Sequence, residues 1–387
     1  MKENQRNIIW LGLVSFINDT SSKIILPILP LFIKEIGGAG FALGLISGLG
    51  ESVASLLKMI SGFLSDKLGK RKPFVFFGYF TSSIAKFLFT FSKIWQHVLA
   101  LRVIERFGKG LREAPRDAIL AASTEKEKRG KGFGIHRAMD SGGAVLGAII
   151  AFILFWYFGF NFRKIFLIAG IIAFFSLFPL IFVKEGKERV KNINLKVELR
   201  GLSTPLKLFI SLATIFALGN FSYMFFVLKS QNYFLEKLSI GIPIILYILY
   251  NTSYTLFAIP AGILSDKIGR KNVLLTGYIL FGLVCTGFIS STTLITFIIL
   301  FILLGLNYAL VNANERAFVS DLAKENYRGT ALGTFHMCTS LATLPGGLIA
   351  GFLWDINPNY TFLYGTLISL IVAILFTFLR YRFIQFS

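Results

Sequence analysis

Motifs that carry chemistry are scarce in this 387-residue chain. Its two cysteines, Cys285 and Cys338, lie inside apolar runs with no ligand-like neighbours, so they indicate neither a disulfide framework nor a thiolate metal site. There are only three histidines and no His-Glu-x-x-His, and no exposed nucleophile triad stands out. Gly108-Lys-Gly110 and Gly130-Lys-Gly132-Phe-Gly134 resemble phosphate loops only superficially, because no strand precedes them and no Gly-Lys-Ser/Thr follows. An enzyme is not expected, and neither a cofactor nor a metal is implied.

Charge is scarce as well. Only 16% of residues are charged, against about a quarter in a soluble domain, while 55% are hydrophobic and the mean hydropathy is +0.69. That excludes an ordinary soluble fold and predicts a polytopic protein embedded in a lipid bilayer. Acidic residues number 20 against 40 basic ones. On a soluble fold such a surplus would suggest nucleic acid. Here the cations gather in short turns between apolar runs, which is the positive-inside pattern, and no nucleic-acid partner is expected.

Lys67, Lys70, Arg71 and Lys72 fill one basic turn, Lys126, Lys128, Arg129 and Lys131 another, and Lys267, Arg270 and Lys271 a third. These turns are expected to face the cytoplasm. Cation-poor turns around Gly37-Gly38, Ser92-Lys93, Ser290-Ser291 and Asn357-Pro358 alternate with them. Both termini, with Lys2/Arg6 and Arg380/Arg382, then fall on the cytoplasmic side. The first apolar run, from about Ile8 to Ile36, is too long and too polar at its middle for a cleavable signal peptide and reads as a retained helix.

Crossing about 30 Å of hydrocarbon takes roughly 20 apolar residues. Twelve such runs are predicted, near 7–35, 40–65, 73–92, 96–122, 130–158, 163–183, 206–233, 240–265, 272–291, 294–322, 328–354 and 360–384. The long polar stretch 184–205 falls at the midpoint and reads as a cytoplasmic linker with scope for an amphipathic surface helix. The expected organisation is a six-helix half over 1–183, the linker over 184–205, and a second six-helix half over 206–387.

The two halves repeat each other. Gly62-Phe-Leu-Ser-Asp66-Lys-Leu-Gly69-Lys70-Arg71-Lys72 recurs 200 positions later as Gly262-Ile-Leu-Ser-Asp266-Lys-Ile-Gly269-Arg270-Lys271-Asn272. Arg116 maps to Arg316 at the same spacing, and after a one-residue slip Arg129-Gly130 maps to Arg328-Gly329. Internal repetition of this kind is common in secondary transporters.

With these residues the chain resembles the major facilitator superfamily over essentially its whole length. The duplicated turn is similar to that family's signature between helices 2 and 3, and both copies match it. The resemblance implies an all-α membrane protein of twelve transmembrane helices in two pseudo-symmetric six-helix bundles. It also implies a central cavity lined mainly by helices 1, 4, 7 and 10, and alternating access. Arg102-Val-Ile-Glu105-Arg106-Phe-Gly108-Lys109-Gly110 in helix 4 is similar to the family's arginine and Gly-x-Gly pattern with altered spacing. Helix 5 has Ser141-Gly142-Gly143 and Gly147 where antiporters of the family show Gly-Pro, whereas helix 11 has Pro345-Gly346-Gly347.

Charges inside predicted spans are the candidate functional groups, because each costs about 2.5–3.5 kcal/mol on insertion scales. Helix 4 carries Arg102, Glu105, Arg106, Lys109, Arg112, Glu113, Arg116 and Asp117. The spacings Arg102/Glu105, Glu105/Lys109, Lys109/Glu113 and Glu113/Arg116 allow mutual neutralisation along one side. Ser15, Asp19, Ser22 and Lys23 form a polar stripe on helix 1, and Ser47, Glu51, Ser55 and Lys58 form another on helix 2. Asp140 follows His136 and Arg137 in helix 5.

Asp19, Glu51, Glu105 and Asp140 are therefore the proton-coupling candidates. Lys23, Arg102, Arg106 and Lys109 are candidates for lining a substrate cavity. The second half contributes Tyr223, Tyr247, Tyr250, Asn251, Tyr254, Asn307 and Tyr308, a polar aromatic set. In the family pattern the aspartate of the repeated turn is held by helix-end amides and an arginine of helix 4, forming a latch. The candidates carried over are Gly62, Asp66, Gly69, Arg71, Arg112 and Arg116, with Asp266, Gly269, Arg270 and Arg316. The 200-residue register suggests the pairs Asp66/Arg116 and Asp266/Arg316, with Arg112 an alternative partner in the first half.

The expectation is a monomeric secondary transporter of the prokaryotic inner membrane, driven by protons and exporting a small amphipathic or drug-like solute. Two alternatives are a carrier of an anionic solute or metal chelate, and a non-transporting membrane sensor.

Overall fold

The computed structural model describes residues 3–124, 129–185, 202–323 and 328–379. Lys2, Lys126, Lys128, Arg380, Arg382, the linker residues 186–201, and the side chains of Arg129 and Lys131 lie outside the described residues. All regular structure among the described residues is helical, as an apolar medium demands of a segment that must satisfy its own backbone.

The helices are α1 (Glu3–Ile25), α2 (Leu29–Glu35), α3 (Gly40–Leu68), α4 (Lys72–Leu88), α5 (Trp95–Ala122), α6 (Arg129–Trp156), α7 (Phe162–Phe175), α8 (Leu177–Ile181), α9 (Thr204–Gly219), α10 (Tyr223–Gln231), α11 (Leu238–Ile268), α12 (Arg270–Ser290), α13 (Leu294–Leu322), α14 (Arg328–Ile356) and α15 (Pro358–Leu379). They make the twelve expected spans, with α1/α2, α7/α8 and α9/α10 each forming one interrupted span.

The interruptions have local causes. Pro27 and Pro30 lack the amide hydrogens that would carry α1 on into α2. Between α9 and α10 the chain unwinds over Asn220–Ser222, and the Ser222 hydroxyl accepts from the Met224 amide at 3.4 Å to restart the helix. Among the described residues, eleven spans are long and apolar enough to cross a membrane; α5, with its eight charged residues, falls outside that set.

The chain divides into two compact units. One comprises Met1–Gly37 with Val53–Leu195, and the other Gly38–Ser52 with Lys196–Ser387. The first half of α3, assigned by the repeat to the first bundle, is therefore grouped with the second. The reason is a close helix contact: a Cβ added at Gly44 would collide with the Gly347 carbonyl of α14, and one at Gly351 with the Gly40 carbonyl. Asp355 accepts from the Gly40 and Phe41 amides at 2.6 and 2.9 Å, capping α3, and Ser52 donates to the Ser340 carbonyl at 2.7 Å.

Within the first unit, Ile8, Leu11 and Val14 of α1 pack with Val75 and Tyr79 of α4, Ile119 and Leu120 of α5, and Leu180 of α8. α1 lies against α6 closely enough that Gly143 and Gly147 sit beneath the Phe16 and Thr20 carbonyls, with no room for a Cβ. The second unit has a core of stacked and edge-on rings from Phe221, Phe226, Phe281, Phe288 and Phe362.

Candidate functional site

The charges of α5 cluster inside the first unit and neutralise one another in part. Arg102 pairs with Glu105, as the i,i+3 spacing predicts, and Lys109 reaches Glu113 at 3.6 Å. Glu105 turns to Arg106, 3.9 Å away, instead of Lys109. Arg116 takes Asp117 at 2.9 Å instead of Glu113, which receives Lys58 of α3 at 3.0 Å. Arg102 and Glu105 are 5% and 4% exposed, so this pair is held out of solvent.

Asp19 and Asp140 are brought together. Packing of α6 on α1 puts their carboxyl groups within electrostatic reach of each other, with Lys23 and Lys86 close enough to feel the charge of Asp19. The Asn18 amide donates to Asp19 at 3.2 Å, and the exposed Arg137 contacts Asp140 at 3.4 Å. Lys23 senses Arg102 and Arg106 as well as Asp19, so the α1 stripe and the α5 charges form one cluster.

Lys86 is a member of that cluster which sequence reasoning missed. It is 1% exposed and donates to both the backbone carbonyl and the side-chain oxygen of Asn18, at 3.1 and 2.9 Å. The signal available was a lysine inside an apolar run, four residues after Ser82 and three after Ser83.

A second polar node forms around Ser15. Its hydroxyl contacts the Tyr79 hydroxyl at 3.2 Å and His136 Nε2 at 2.9 Å, and accepts from Arg116 at 3.3 Å. Arg112 is buried beneath the Tyr79 ring, 4.4 Å from its centroid, and donates to Ser82 and the Gly78 carbonyl. Both arginines suggested as latch partners are thus engaged inside the unit.

Asp66 binds Arg71 of its own turn at 2.8 Å, with Gly69 in the left-handed region at φ +62° folding the turn back. In the second copy Asp266 lies 3.5 Å from Arg270, which also pairs with Asp321, and Arg316 donates to Asn312 at 2.8 Å. Neither Asp66/Arg116 nor Asp266/Arg316 is formed. In each turn the aspartate pairs with the turn's own arginine. Glu185 completes the first turn: its carboxylate accepts from the Arg71 and Lys72 amides at the start of α4, while Lys72 Nζ donates to the Ile181 and Val183 carbonyls at 3.0 and 2.6 Å.

In the second unit, five of the predicted aromatic residues form a continuous ring chain. Tyr223 and Tyr247 have centroids 5.0 Å apart, Tyr247 and Tyr250 6.1 Å, Tyr250 and Tyr308 6.1 Å, and Tyr254 and Tyr308 5.1 Å. Asn251 donates back to the Tyr247 carbonyl within α11, and Asn307 points away to the Gly277 carbonyl of α12 at 2.7 Å. Glu51 lies half-buried on the part of α3 grouped with this unit. Glu315 of α13 accepts from the Tyr278 hydroxyl of α12 at 2.9 Å.

The family model described as Major Facilitator Superfamily matches residues 11–241 and 210–383. An uncharacterised MFS-type transporter of Methanocaldococcus jannaschii is 47% identical, across 98% of this chain and 96% of the relative. A protein of Lactococcus lactis named a multi-drug resistance efflux pump PmrA homolog is 24% identical, across 97% and 94%. Among solved structures, the nucleoside transporter NupG superposes with a TM-score of 0.78 at 15% identity, covering 97% of this chain and 98% of that one. The last likeness is one of fold.

Proposed function

The chain belongs to the major facilitator superfamily, and from that membership we propose that it is a proton-coupled secondary transporter that exports a small amphipathic solute by alternating access. The observation that carries the coupling is the contact of Asp19 with Asp140 inside the helices of the first unit. Two carboxylates brought together repel each other, and binding a proton relieves that repulsion, which suits the pair to accept one. Ionisable groups within a membrane span are functional candidates by default. Lys23 and Lys86 lie within electrostatic reach of Asp19. Glu105, with Arg102 and Arg106, and the half-buried Glu51 are the further coupling candidates.

Export is supported by the efflux pump named among the relatives. The tyrosine chain Tyr223, Tyr247, Tyr250, Tyr254 and Tyr308 suits the apolar part of a solute, since rings give large contact area with hydroxyl handles. In this reading the halves 1–183 and 206–387 are the moving parts, the self-closed turns at Asp66 and Asp266 are the latches, and the protein works as a monomer in the cytoplasmic membrane with both termini inside.

The test is transport by the purified protein in proteoliposomes with an imposed pH gradient, using a panel of amphipathic dyes. Gradient-driven dye movement is expected, and its collapse on adding a protonophore. Dye movement indifferent to the gradient would overturn proton coupling.

A further inference from the structure

We propose that the first unit recognises an anionic group, a carboxylate or phosphate, on the transported solute, through Arg102 with Arg106 and Lys23; the proposal rests on the transporter reading above and adds the charge of the cargo to it.

The cluster has more positive than negative side chains. Among the described residues, Lys23, Lys86, Arg102, Arg106 and Arg112 each lie within electrostatic reach of at least one of three carboxylates, Asp19, Glu105 and Asp140. Two of the five cations are committed to neutral partners: Lys86 to the two oxygens of Asn18, and Arg112 to Ser82, the Gly78 carbonyl and the Tyr79 ring. Glu105 serves both Arg102 and Arg106 through the same carboxylate oxygen, Oε2.

Arg102 carries the sharper observation. It is 5% exposed, gives Nη1 to Glu105, and holds a buried Nε–H that donates to nothing. A buried donor left unmade is costly, and a bound ligand is one partner that would satisfy it. The guanidinium edge suits two oxygens at once, the geometry of a carboxylate or a phosphate. The surplus cations around it favour an anion over a neutral or cationic guest.

The test uses the purified full-length protein and titration calorimetry with four probes: 2-naphthoate, 2-naphthyl phosphate, the uncharged 2-naphthylmethanol, and inorganic phosphate. The two naphthyl anions are expected to bind at least roughly tenfold more tightly than the alcohol, a difference that Arg102→Gln reduces by about tenfold or more. Since Arg102→Gln strips Glu105 of a partner, the double variant Arg102→Gln/Glu105→Gln removes the pair together, keeps the burial balanced, and is expected to lose the same discrimination. Equal binding of naphthoate and alcohol, unchanged affinity in the double variant, or binding of inorganic phosphate without naphthoate each overturns the proposal. Gradient-driven dye export with no preference for anions overturns it while leaving the transporter reading intact. Anion binding that depends on Arg102 in a protein showing no flux upholds the site and overturns that reading instead.

Discussion

Lys86 of α4 donates to both oxygens that Asn18 of α1 offers, one turn of helix from Ser15 and next to Asp19. This contact ties the third span to the first at the depth where Asp19 meets Asp140.

Lys86→Met should leave the two Asn18 oxygens without their donor and cost about 1–3 kcal/mol. Lys86→Arg should retain part of the contact. The expected order of melting temperatures is wild type, then Arg, then Met, with transport falling in the same order. Equal melting of all three would show that the contact contributes nothing to stability.

Gly44, where α3 meets α14, should be intolerant of a single methyl. Gly44→Ala forces a Cβ into the Gly347 carbonyl and is expected to destabilise by about 1–3 kcal/mol through overpacking. Gly134→Ala and Gly333→Ala meet nothing within 4 Å and serve as controls. Detergent melting curves of the three variants should separate Gly44→Ala from the other two.

Glu185→Gln removes the charge that covers the first amides of α4. Loss of a cap and of a favourable charge at a helix N-terminus predicts a cost of about 0.5–2 kcal/mol. Hydrogen exchange should rise at Arg71–Val75 while α12 is unaffected. Unchanged exchange at that turn would mean that the amides are protected by other means.

The hydrogen bond from Tyr278 to Glu315 should appear as coupling in a double-mutant cycle. Tyr278→Phe and Glu315→Gln together are expected to cost less than the sum of the two single changes, with an interaction of about 0.5–1.5 kcal/mol. An interaction near zero would mean the two groups are in contact without stabilising each other.

The spans were legible because apolar length is a property of the sequence alone. The run predicted at 294–322 is α13, and 328–354 falls two residues short of α14. The breaks in the first and seventh spans were not anticipated, since mean hydropathy stays high across Pro27 and across Gly219-Asn220; the chemical marks were the prolines and the Ser222 cap. Ion pairs were legible only where they are local. Arg102/Glu105 and Lys109/Glu113 lie on one helix face and are formed. Lys86 and Asn18 are 68 residues apart, and no spacing rule connects them. The repeat located the turns correctly, but register cannot tell which of several nearby arginines an aspartate takes, and Asp66 takes Arg71.

Proton coupling through the Asp19–Asp140 pair is tested most directly by comparing two modes of transport in one variant. Asp19→Asn, reconstituted in proteoliposomes, should lose movement of solute against its gradient under an imposed pH difference, while exchange of labelled for unlabelled solute at equilibrium, which needs no net proton movement, persists. Asp140→Asn should behave alike. Gradient-driven accumulation at the wild-type level in both variants would contradict the account.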